Sequence, residues 1–242
     1  VTRLELDGTV TVLADRFEGK RLNSPNDLVI DSLGRVFFSD PRYGDTSDAE
    51  LFDDKQRIIE GVYRIDVDGT VRRIITHEVH RPNGLAISPD QRYLYVGDNV
   101  NTGPQAEGGN RKLWRFELQA DGTVDVDSQR LLFDWGTDRG PDGMAIDQQG
   151  LLYVTAGFNF PNLPMETTQR YKAGVYIFNS GGELLDFVAV PMDMVTNCAF
   201  GDEDLKTLYI TGGHTLWKIR TDAVGHVLCP PRPTESNLRK SF

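Results

Sequence analysis

The chain has 242 residues, 26 of them basic and 36 acidic, for a formal net charge of −10 with histidine neutral. That acidity disfavours a nucleic-acid partner, and no apolar run approaches the roughly 18 residues a membrane-spanning helix requires. With 39% hydrophobic residues and 24 glycines and 12 prolines set between short apolar strings, the composition is that of a soluble, turn-rich chain able to bury a sizeable core.

The opening Val1 to Leu6 reads as a strand running into the turn Asp7-Gly8. No basic segment followed by an apolar stretch precedes it, so no signal peptide is legible and the compartment stays open. At Pro25-Asn26-Asp27-Leu28-Val29-Ile30-Asp31 a pattern begins that returns three times. It recurs as Pro82-Asn83-Gly84-Leu85-Ala86-Ile87-Ser88, as Pro141-Asp142-Gly143-Met144-Ala145-Ile146-Asp147 and, more weakly, as Thr196-Asn197-Cys198-Ala199-Phe200-Gly201. The spacings are 57, 59 and 55 residues. Each copy is followed by a second strand rich in β-branched and aromatic residues, at Arg35 to Ser39, Tyr93 to Gly97, Leu151 to Thr155 and Thr207 to Thr211. Third and fourth strands are expected in every unit around the turns Asp66-Val67-Asp68-Gly69, Asp121-Gly122, Gly181-Gly182 and Ala223 to Gly225.

Four antiparallel strands per unit at near-constant spacing, with no helical periodicity, are the sequence pattern of an all-β fold, a β-propeller. The chain supplies about four blades plus a leading hairpin. The expectation is a six-bladed ring in the full protein, with the completing blades ahead of Val1. Residues 1–228 form one propeller domain and 229–242, rich in proline and charge, an irregular tail.

In a propeller the first strand of each blade lines the central channel, so residues in the same register converge. That brings Asn26, Asn83, Asp142 and Asn197 to the channel mouth. Three amides and one carboxylate offer hard oxygen donors suited to a calcium-like ion, which takes six to eight of them. Asn or Asp before Gly is also an ordinary turn former. The repetition favours a site at Asn83 and Asp142, then at Asn26, and least at Asn197.

Other features read as structural. His77-Glu78-Val79-His80 is one residue short of the zinc-protease spacing and sits between strands, not on a helix. Asp66-Val67-Asp68-Gly69 lacks the distal Glu of a calcium loop. Cys198 and Cys229 have no metal-ligand spacing and are too few for a disulfide framework. Trp114 and Trp217 occupy equivalent outer-strand positions and suit packing between blades.

The segments Asn23-Ser24-Pro25-Asn26-Asp27-Leu28, Phe38-Ser39-Asp40-Pro41-Arg42-Tyr43-Gly44, Arg81-Pro82-Asn83-Gly84-Leu85, Pro141-Asp142-Gly143-Met144 and Asn197-Cys198-Ala199-Phe200-Gly201 cover nearly the whole chain. In that order they resemble the senescence marker protein, gluconolactonase and luciferin-regenerating enzyme family. The resemblance implies a six-bladed propeller with one divalent metal in the channel, held by an Asn matching Asn83, an Asp matching Asp142 and a Glu from the first blade. Asn26 matches a residue near the metal that touches substrate. No segment matches the family's N-terminal Glu-Gly-Pro stretch, so that Glu is expected upstream of Val1. Glu18 lies in the approach to Asn26 and Glu60 directly before an outer strand, and neither fills the position. Ser24 stands where some members carry an arginine.

A lactone is a ring ester whose hydrolysis passes through a tetrahedral oxyanion, which a divalent ion can stabilise while it polarises the carbonyl. No Gly-x-Ser-x-Gly elbow supports a serine hydrolase. The expected function is therefore hydrolysis of a small-molecule, sugar-type lactone with Ca2+ as the metal, or Zn2+, Mn2+ or Mg2+ in its place. Neither nucleic acid nor membrane is an expected partner. Asp142 is the candidate general base as well as a ligand, with metal-bound hydroxide as the competing nucleophile source. Two other readings fit the same residues: phosphotriester or aryl-ester hydrolysis, and a non-catalytic binding propeller whose metal only fixes the channel loops. Three insertions follow the second strands, at Gly44 to Glu60, Asn99 to Arg111 and Phe158 to Lys172. The last is apolar enough to act as a lid.

Overall fold

In the computed structural model, residues 1–43, 45–102 and 106–227 are described. The tail expected over 229–242, with Cys229, lies outside them. None of the described residues forms an α-helix, and nineteen strands follow one another. Two short hairpins come first: β1 (Thr2–Leu4) with β2 (Val10–Val12), and β3 (Arg16–Phe17) with β4 (Lys20–Arg21). The first follows from Asp7-Gly8, where Gly8 takes φ of 86° without a side-chain clash. The second, turning at Glu18 and Gly19, is too short to leave a period-2 signal and is not anticipated from sequence.

Four antiparallel units then follow. The first is β5 (Leu28–Ile30), β6 (Val36–Asp40), β7 (Gly61–Ile65) and β8 (Val71–Ile75). The second is β9 (Pro82–Ile87), β10 (Tyr93–Asn99), β11 (Arg111–Leu118) and β12 (Val124–Asp134). The third is β13 (Met144–Ile146), β14 (Leu152–Ala156), β15 (Gly174–Phe178) and β16 (Leu184–Ala189). The last is β17 (Val195–Gly201), β18 (Thr207–Gly212) and β19 (Thr215–Arg220). Each strand pairs with the next in sequence, so the chain builds four blades of a propeller in order.

One expectation is corrected. The last unit has three strands among the described residues, because the segment after β19 leaves its own blade. Gly225 bridges Asp147, and His226 donates its N–H to the Ile146 carbonyl at 2.9 Å, so Ala223 to Gly225 is a crossing to the edge of β13 and not a hairpin turn.

The packing explains why the strands read as apolar strings and not as alternating ones. A propeller strand is covered on both faces by neighbouring blades, and its alternate side chains enter different cores. Phe37 and Val62 pack with Leu85, Leu94, Val96 and Phe116 of the second unit, while Phe38 and Tyr63 turn the other way onto Ala14 and Leu22 of the leading hairpins. In the third unit Leu152 and Val154 join Tyr95 and Trp135, and Tyr153, Val175 and Ile177 join Val195, Leu208 and Ile210. The leading hairpins and the last unit have a neighbour on one side only, and apolar side chains such as Val10, Val12 and Leu216 stay exposed there.

Candidate functional site

The inner strands β5, β9, β13 and β17 neighbour one another in turn. Direct contacts tie them at the repeat motif. In the first unit Asp27 reaches across, its Oδ2 accepting the Leu85 N–H at 2.9 Å. In the second, Gly84 donates its N–H to the Asp142 carbonyl at 3.1 Å, and in the third Gly143 donates to the Thr196 carbonyl at 2.8 Å. Within the blades the motif is pinned to the second strand in the same manner: the Asn26 N–H bonds the Ser39 carbonyl and the Asp142 N–H the Thr155 carbonyl, at 2.9 and 2.8 Å.

This wiring sets Asn83 and Asp142 side by side, close enough for the Asn83 amide to favour the ionised form of Asp142. Asn83 is 3% exposed, and its Nδ2 donates to the Tyr43 hydroxyl at 2.8 Å. Its Oδ1 is buried with no hydrogen-bond partner. Buried polar atoms are nearly always paired, so such an oxygen calls for an electropositive partner. Asp142 keeps 15% side-chain exposure and gives one oxygen, Oδ2, to Arg139 Nη2 at 2.7 Å. Burial pushes the Asp142 carboxyl above its ordinary range, and Arg139 opposes the rise.

Asn197 comes to the same place but packs on backbone: a Cβ added at Gly143 would lie 2.2 Å from its side-chain carbon and oxygen. Its Oδ1 accepts the Cys198 N–H at 2.8 Å. Asn26 is exposed at the mouth of the first unit. Next to it Asp27, not singled out from sequence, lines the channel with Leu85, Met144 and Cys198 around a cavity of about 310 Å³. Burial first, and then the charge of Asp142, push its carboxyl up to about 6 against the amides of Leu85 and Leu28.

Neither Glu18 nor Glu60 joins the site. Glu18 is exposed in the β3–β4 turn. Both oxygens of Glu60 are engaged by Arg81, at 2.7 and 2.9 Å, and Oε2 also accepts the Arg42 N–H at 2.7 Å. His77 pairs with Asp53 at 3.1 Å, away from the motif residues. Cys198 is a buried free thiol hydrogen-bonded to the Tyr153 carbonyl at 3.3 Å.

Among the described residues no three His, Cys, Asp or Glu side chains converge to hold a metal. The donor set here is instead one carboxylate and one bare amide oxygen, both hard, which fits a calcium-like cation better than a thiophilic one. Tyr43, Arg139 and Glu166 complete the surroundings. Tyr43 lies in a segment whose resemblance is noted above but which carries no assigned role, and Arg139 stands three residues before Asp142. Glu166 comes from the insertion after β14 and has no local sequence signal. That insertion is only partly the expected lid: Phe158 is buried with its ring 5.0 Å from the Arg139 guanidinium, whereas Phe160 and Leu163 at its tip are exposed.

Comparison with known proteins matches residues 1–214 to the model of the SMP-30/Gluconolactonase/LRE-like region. A gluconolactonase of Zymomonas mobilis is 35% identical over 221 residues, covering 89% of this chain and 55% of its own length. A regucalcin of Danio rerio is 28% identical over 191 residues, 78% of this chain and 54% of its own. Among solved structures, a gluconolactonase from Xanthomonas campestris superposes with a TM-score of 0.68 at 32% identity, over 90% of this chain and 64% of its own. The chain thus spans just over half the length of the curated relatives it matches.

Proposed function

Because the chain belongs to the SMP-30/Gluconolactonase/LRE-like family, we propose that it forms the catalytic end of a divalent-cation-dependent hydrolase that opens sugar-type lactones. The observation that supports this most directly is the pairing of Asp142 with Asn83, whose buried Oδ1 lacks any partner. The relatives named gluconolactonase point to the substrate class.

In this reading Asn83 and Asp142 would hold the cation, with Asn197 as a further candidate. The Glu that the family resemblance puts ahead of Val1 completes the protein ligands. Ca2+ suits the oxygen set, with Zn2+, Mn2+ or Mg2+ as substitutes. A cation so held supplies Lewis acidity, polarising the lactone carbonyl and offsetting the charge that develops on its oxygen.

The chain's own residues do the rest. Asn26, exposed at the mouth, offers an amide to the substrate hydroxyls. Asp142 accepts a proton from the water whose oxygen attacks the carbonyl carbon. Burial raises its pKa, which improves it as a base, and Arg139 opposes that rise by favouring the ionised carboxylate. The ring C–O bond then breaks, the departing alkoxide takes that proton back from Asp142, which regenerates the carboxylate, and the product is the open hydroxy acid.

The test is Asp142→Ala assayed on gluconolactone with a pH indicator, with and without chelation of the wild-type protein. The expected result is loss of turnover in both arms with the fold retained. Unchanged turnover in the variant sinks the assignment of Asp142, and turnover unaffected by chelation sinks the metal dependence.

A further inference from the structure

Behind Asp142 lies a group of buried charges that extends past Arg139 to Glu166, a carboxylate the proposed reaction does not use. The Arg139 side chain is 6% exposed and spans two carboxylates: Nη2 meets Asp142 Oδ2 at 2.7 Å and Nη1 meets Glu166 Oε1 at 3.4 Å. Glu166 is fully buried, and its other oxygen accepts Asn162 Nδ2 at 2.8 Å. A guanidinium is a rigid planar fork, so fixing one arm aims the other.

Electrostatically, an arginine in contact with a cation ligand poses a difficulty. It leaves Asp142 Oδ1 as the available oxygen, yet its charge repels any cation that oxygen would bind, in surroundings too dry to screen it. Glu166 answers that charge. Arg111 is also buried nearby, donating to the carbonyls of Gly109, Ala106 and Met165 and feeling both Glu166 and Arg139. Two buried cations thus share the surroundings with Asp142, Glu166 and Asp138, and removing the Glu166 charge would leave the Arg139 guanidinium paired with Asp142 alone among the described carboxylates.

Glu166 also belongs to the insertion at 158–172, which is strapped to the segment carrying Asp142. Glu166 and Asn162 exchange backbone hydrogen bonds at 2.9 and 3.0 Å, and the Thr167 N–H bonds the Thr137 carbonyl at 3.1 Å. Asp138 accepts the Thr167 hydroxyl and the N–H groups of Gln169, Arg170 and Tyr171 at 2.7 to 3.2 Å.

We propose that Glu166 is a positioning residue: by neutralising Arg139 it lets that arginine orient Asp142 without repelling a cation, and so couples the 158–172 insertion to cation binding. This rests on the metal reading above. Coupling of this kind is reciprocal, so a cation that engages Asp142 stabilises the strapped insertion in return.

The test is calorimetric titration of Ca2+ into chelator-stripped protein, paired with hydrogen exchange over 158–172. Glu166→Gln keeps the shape of the side chain and an acceptor for Asn162 while removing the charge, and circular dichroism checks its fold. The expected results are about tenfold weaker Ca2+ binding in E166Q, within the usual range of site-to-site coupling, and Ca2+-induced protection of the insertion in the wild type but not in E166Q. In an Arg139→Met background, E166Q should cost nothing further, the signature of a residue acting through its partner. Wild-type Ca2+ affinity and protection in E166Q overturn the inference alone, as does an equal loss in both backgrounds. A wild-type protein that binds no Ca2+ overturns it together with the metal reading. Should R139M fail to fold, the exchange arm on E166Q decides.

Discussion

The Tyr43 hydroxyl accepts Asn83 Nδ2 at 2.8 Å and itself donates to the Asn99 carbonyl at 3.4 Å. With the amide nitrogen anchored, Asn83 Oδ1 is left buried with nothing bound to it. Tyr43 therefore sets which end of the amide is presented. Tyr43→Phe should cost about 1 kcal/mol of stability, the net worth of one buried hydrogen bond. It should weaken divalent-cation binding about fivefold as the amide becomes free to turn, 1.4 kcal/mol being a factor of ten. Calorimetric titration against a matched denaturation curve checks both, and unchanged cation affinity would show that Asn83 is oriented without Tyr43.

Gly84 is required by the approach of another backbone, not by an unusual φ. A Cβ there would stand 2.1 Å from the Asp142 carbonyl oxygen and 3.0 Å from the Gly143 Cα. Both are main-chain atoms of the next unit, which cannot rotate aside. Gly84→Ala should destabilise by about 2 kcal/mol or more, as overpacking a rigid site does, and should push Asn83 and Asp142 apart. Urea denaturation reads the first effect and loss of cation affinity the second. A variant as stable as wild type would mean that the inner strands are not in the close register described.

Much of the fold is legible in the sequence because the propeller repeats a two-sided strand pattern. The string Val175 to Phe178 is apolar at consecutive positions, as a strand between two cores must be, and the period near 57 residues places such strings in blades. The juxtaposition of Asn83 with Asp142 is legible for the same reason. The meaning of Asn83-Gly84 is less so: as a dipeptide it reads as a turn, whereas it lies within β9 and its glycine makes room for the third unit. Glu166 and the route of residues 224–226 are not legible, since each depends on where a loop lands and leaves no periodic trace. Asp27 is hidden differently. Its register matches Gly84 and Gly143, where the repeat calls for no side chain, so nothing local sets it apart from a turn former.

Arg81 and Glu60 form a two-pronged ion pair with side chains 5% and 12% exposed, just before Asn83. Breaking a buried pair from one side strands the other charge, at roughly 3–5 kcal/mol. Arg81→Met should lower stability by that order, and adding Glu60→Gln should recover part of it by removing the stranded carboxylate. Chemical denaturation of the single and double variants checks the pair. If the second substitution made matters worse, Glu60 would be held by more than Arg81 and the Arg42 amide.

Asp27 gives the channel a pH dependence of known sign. Burial raises its carboxyl from 3.8 to about 6 in the folded chain, so the native state holds a proton that the unfolded state has released. The stabilisation from that proton is fully present below about pH 4 and is lost as pH rises through about 6, at most about 3 kcal/mol. Asp40, raised to about 6 mainly by burial as well, adds a slope of the same sign. Asp27→Asn keeps an oxygen to accept the Leu85 N–H but cannot ionise. In the presence of chelator, the variant should therefore gain stability over wild type at pH 7, match it near pH 4, and show a shallower decline between the two, with the remainder assignable to Asp40. Thermal or urea unfolding at a series of pH values measures this directly. A variant whose stability ran parallel to wild type across that range would mean that Asp27 stays ionised in the folded channel, and that its charge is met by a group other than the amides of Leu85 and Leu28.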